Sequence, residues 1–85
     1  MKMFKNLLGE VKEMLGLLIN KMEKREMEYM VKRELEEIRI DLEDTRIDNS
    51  VKAAMKDRYH VLFQLLRRLG NEKDCIKYMP KASRK

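Results

Sequence analysis

The chain has no tryptophan, one cysteine, one proline and three isolated glycines, and aromatics make up 6% of its 85 residues. Each shortage excludes something. A single thiol, Cys75, cannot close an intramolecular disulfide, and with His60 as the only histidine no zinc set of His and Cys ligands can be assembled within one chain. Gly9, Gly16 and Gly70 stand alone, so no Gly-rich phosphate loop exists. The longest uninterrupted apolar run, Met14 to Ile19, is six residues, against the roughly 20 that a membrane-spanning helix needs. These absences give the expectation of a soluble cytoplasmic protein without cofactor or metal, and the free thiol suits a reducing compartment.

Charge is what the chain has in quantity: 41% of residues are Asp, Glu, Lys or Arg, with a net charge of +5. The balance is segregated. Residues 1–22 carry four Lys against two Glu, residues 23–50 six basic against ten acidic side chains, and residues 51–85 ten basic against three acidic. An acidic middle between two basic ends would attract the last third onto itself and neutralise much of its charge.

Apolar residues recur at helical spacing almost throughout, and with so little Gly, Pro and aromatic content the reading is all-α. The stripe changes side partway along. Phe4, Leu8, Val11, Leu15, Leu18 and Met22 share one helical face. Met27, Val31, Leu35, Ile38 and Leu42 share another, rotated by roughly 150–180° on the same wheel. One straight helix cannot bury both stripes against one partner, so the chain bends or breaks near residues 20–26. Asn20-Lys21-Met22-Glu23 has the form of a helix N-cap with an acidic residue three positions on, which places the boundary there without Gly or Pro.

The expected organisation is a single domain over 1–79 with helices at about 3–20, 22–43, 50–69 and 72–79, then a disordered basic tail, 80–85. Residues 44–50 gather turn and cap residues, with Asn49 or Ser50 as the next N-cap. The 50–69 helix should bury Val51, Ala54, Met55, Leu62, Leu65, Leu66 and Leu69, with Tyr59 and Phe63 alongside. Gly70 stops it in the C′ position, and Asn71 caps the last helix, which Pro80 ends. Two architectures fit: a small helical bundle, or an antiparallel coiled-coil hairpin with a bend near residues 20–26. At this size a second subunit sharing the core is expected, so the chain reads as a homodimer.

No constellation for chemistry emerges. Glu34, Glu37, Asp41 and Asp44 share a helix face that could ligate a hard cation, but such a face reads first as a solvated surface opposite the basic last third. Nucleophilic catalysis would have to pair Cys75 or a serine with His60, which reads as a rim residue of the 50–69 helix. The chain is therefore not expected to be an enzyme. The amphipathic start, with Lys2, Lys5 and Lys12 beside its Leu-rich face, is not expected to act at a membrane, since Glu10 and Glu13 dilute it.

The expected function is binding of another protein, as a small regulator, inhibitor or adaptor working through helical surfaces. Met22, Met27, Tyr29 and Met30 near the bend, or an unpaired part of the first helix, are the candidate contacts, because methionine offers pliable surface that re-packs around a partner. The alternative is nucleic-acid binding by the basic C-terminal third, through Lys52, Lys56, Arg67, Arg68, Lys81, Arg84 and Lys85. It ranks second, because no set of base-reading side chains accompanies the charge.

Overall fold

The structure, a computed structural model, describes residues 14–80. Three helices follow one another: α1 (Lys21–Leu42), α2 (Asn49–Leu69) and α3 (Glu72–Tyr78). α1 and α2 pack against each other as two long helices of 22 and 21 residues, and α3 folds back onto α2. No strand occurs among the described residues, so the chain is an all-α small bundle.

α1 begins where the stripe changes side. The Asn20 side chain accepts a hydrogen bond from the Glu23 amide (2.8 Å) and the Glu23 carboxylate accepts one from the Asn20 amide (2.9 Å), a complete capping box. The two bonds satisfy amides that a helix start leaves without partners, which fixes a break in preference to a continuous bend. Residues 14–20, placed by the sequence at the end of a helix over 3–20, carry no helix. The rest of that expected helix, residues 3–13, lies outside the described residues, as do residues 81–85 of the tail.

Once started, α1 buries the second stripe. Val31, Leu35 and Ile38 are buried and Leu42 packs against them, as their spacing requires. On α2 the buried residues are Tyr59, Phe63 and Leu66, with Met55, Leu62 and Leu65 partly covered. Val51 and Ala54, expected inside, are exposed. The reason is α3. It closes over the Tyr59–Phe63 side of α2 and draws the buried arc toward the aromatics.

Between α1 and α2 the chain turns without a left-handed residue, since no positive φ occurs among the described residues. Asp44 holds the turn by accepting from the Arg46 amide (2.9 Å) and from its guanidinium (3.0 and 2.9 Å). Asp48 takes the N-cap position of α2, one residue before the expected Asn49 or Ser50, and its carboxylate accepts from the Ser50 hydroxyl. A negative charge there suits the positive end of the helix dipole. Gly70 is the C-cap, with extended backbone (φ −91°, ψ −177°), not a left-handed C′ residue. Room is what glycine supplies: a Cβ here would lie 3.1 Å from Leu66 Cδ1 and 3.2 Å from the Leu66 carbonyl oxygen.

α3 is short but heavily tied. Asn71 accepts from the Asp74 amide (2.9 Å) at its start. Tyr78, at its end, is buried; its hydroxyl donates to Glu36 of α1 (3.1 Å), and its carbonyl accepts from the Tyr59 hydroxyl (2.6 Å). Lys32 reaches Asp74 at 3.1 Å, and the Arg39 and Lys77 cations lie 5.8 and 5.3 Å from the Tyr78 ring centre. Burial and then the Glu36 hydrogen bond push the Tyr78 hydroxyl above the ordinary tyrosine pKa, because both oppose its anion.

Candidate functional site

The N-terminal end of α1 differs from the rest of the bundle in what it leaves uncovered. Leu15 is 92% exposed, Leu18 99%, Met22 76% and Met30 56%. Leu17, Leu18 and Ile19, in the non-helical stretch before the Asn20 cap, form a shallow apolar concavity with Met22, Met27 and Met30. Glu23 and Glu26 edge it. Exposed apolar side chains grouped in this way on a helical bundle are candidates for contact.

Of the four candidate contacts, Met22, Met27 and Met30 are brought together here, with Met27 half-buried at the junction with the core. Tyr29 is exposed but takes no part in the lining. The sequence places Leu17, Leu18 and Ile19 inside a helix over 3–20, where they count only as an unpaired part of that helix and not singly as contacts. The signal was present in the cap at Asn20: a helix that starts there releases the residues before it from the helical wheel.

Three of the four carboxylates of the acidic face form ion pairs. Glu34 pairs with Arg58, Glu37 with Arg33 (3.6 Å) and Asp44 with Arg46. The Arg46 guanidinium and amide hold the Asp44 carboxyl below its ordinary range. No group of three or more His, Cys, Asp or Glu positioned for a metal occurs among the described residues. His60 is exposed and Cys75 half-buried, and no hydrogen bond joins them.

The basic residues behave differently from the charge-neutralising expectation. Arg58 of α2 meets Glu34 of α1, whereas the other ion pair between elements runs in the opposite sense, a lysine of α1 with an aspartate of α3. Lys52 lies near Asp44. Lys56, Arg67, Arg68 and Lys73 form no ion pair among the described residues. Lys81, Arg84 and Lys85 lie outside the described residues. Among the described cations of the last third, Lys56, Arg67, Arg68 and Lys73 therefore keep their charge on the surface.

No helix among the described residues is long and apolar enough to cross a membrane. Comparison with protein-family models, with curated proteins and with solved structures finds no match to this chain.

Proposed function

We propose that this chain is a non-enzymatic regulator or adaptor that binds another protein through the apolar end of α1. The observation that carries the reading is the exposure of Leu18 and Met22 beside a bundle whose core is already closed by α3. Apolar side chains left outside a satisfied core gain free energy only when a partner covers them, by about 25 cal/mol for each Å² removed from water. The methionines let the surface adjust to the partner's side chains, and an edge of charge steers the encounter.

Without a partner the same end pairs two copies of the chain, so self-association and partner binding compete. Sedimentation should give a mass near twice 10.3 kDa for the purified protein. Leu18→Asp combined with Met22→Asp should yield the monomer. The tagged chain should retain one dominant protein in stoichiometric amount, and that protein should be lost with the same double variant yet kept when Lys81, Arg84 and Lys85 are reversed in charge. Retention unaffected by the Leu18 and Met22 changes would refute the proposal.

A further inference from the structure

The cations left unpaired on α2 are not scattered around it. With the buried Tyr59 as the zero of the helical wheel, Lys56 and Arg67 fall at about 60° and 80°, with the exposed His60 side chain beside them at about 100°. Ala53 and Gln64 complete that exposed flank. Its first carboxylate is Asp57, at about 160°, on the far edge. Arg58, the cation that does pair, sits at about −100°, on the opposite side, where Glu34 of α1 meets it. Arg68, at about 180°, lies just past the Asp57 edge at the C-terminal end of α2, and Lys73 lies three residues after Gly70.

We infer that this flank is a binding site for the phosphate backbone of nucleic acid. It is separate from the apolar end of α1 and does not depend on it. Lys56 and Arg67 are eleven positions apart, roughly 16 Å along a rigid helix, so they can meet phosphates about five base steps apart. Arg67 already donates to the Gln64 side chain (3.3 Å), which leaves its remaining donors for a phosphate. The flank's other side chains are Ala53, His60 and Gln64, with no large apolar group to enter a lipid surface, so a duplex fits better than a membrane. Nothing on the flank reads base edges in pairs, which makes the binding independent of sequence.

Fluorescence anisotropy of a labelled 20-base-pair duplex with the full chain tests this. Four cations, Lys56, Arg67, Arg68 and Lys73, give a slope of log affinity against log salt of about −3.6, a loss of roughly 150-fold between 50 and 200 mM. Lys56→Gln with Arg67→Gln should halve the slope, whereas Lys21→Gln with Arg25→Gln on α1 should leave it unchanged. The apolar-end variant Leu18→Asp/Met22→Asp should bind the duplex as the parent does, so failure of the protein-binding proposal would not mask this result. All of these positions are exposed, and unchanged thermal melts confirm that each variant folds. Three results would overturn the inference. The flank pair could leave the slope intact, binding could vanish only on neutralising Lys81, Arg84 and Lys85, or the chain could bind phosphatidylserine vesicles and not the duplex.

Discussion

The two ends of α1 meet opposite fates. Toward its C-terminal half, Leu35 and Ile38 face Phe63 and Leu66 across a sealed core, and Tyr78 closes that core with both its polar atoms satisfied. Toward its N-terminal end, Met22 and Met30 project beside Leu17 and Leu18 with no other described residue over them. Both regions are apolar in sequence. What separates them is α3: seven residues supply an aromatic lid, a buried hydrogen bond and an ion pair to one end, and no described element does this for the other.

The largest effect that sharpens this contrast is the loss of the lid. Tyr78→Ala should destabilise the bundle by about 3–5 kcal/mol, the cost of emptying a buried aromatic site, whereas Met22→Ala should cost under about 0.5 kcal/mol. Urea melts of both variants read the two numbers directly. Equal losses would erase the distinction between the ends.

Gly70→Ala comes next, since the new methyl must push into the Leu66 side chain and carbonyl. A loss of about 1–2 kcal/mol is expected, as for overpacking elsewhere, and it should be read in the same melts. No loss would mean that the Leu66 side chain gives way to the methyl.

A smaller effect follows from the Tyr78 hydroxyl. Tyr78→Phe removes the bond to a half-buried Glu36, at about 1 kcal/mol. Its pH dependence has a definite sign. The folded chain holds the phenol proton more tightly than the unfolded chain does, so the hydroxyl's contribution is complete below the ordinary tyrosine pKa of about 10 and declines as pH rises through and above it. The stability difference between parent and Tyr78→Phe should therefore be flat at neutral pH and shrink in alkali. A difference constant to pH 11 or beyond would contradict the assigned burial.

Local features of the fold were legible in the sequence. The Asn20–Glu23 capping box, the Asn71 cap and the Val31–Leu35–Ile38 seam depend on residues three or four apart, and that is the range over which spacing carries information. The buried arc of α2 was not legible, because whether Val51 or Tyr59 turns inward is decided by where a third helix lands. Tyr78 meets Glu36, and Asp74 meets Lys32, across 42 residues of chain. The same limit applies to the candidate surfaces. The methionines were readable as pliable and exposed, but Leu17, Leu18 and Ile19 joined them only once the break at Asn20 removed them from a helix. Segregated charge suggested mutual neutralisation, whereas the register of α1 on α2 brings one arginine of α2 to a glutamate of α1 and leaves Lys56 and Arg67 outside.

The central claim is that the apolar end of α1 serves contact with a second molecule and contributes nothing to the fold of a single chain. Unfolding free energy and partner retention, measured together on Leu18→Asp/Met22→Asp, test it most directly. The account predicts stability within about 0.5 kcal/mol of the parent, measured on dilute monomer, with self-association and partner capture abolished. A loss of about 2 kcal/mol or more, of the kind that follows damage to a buried core, with association and capture intact, would contradict it.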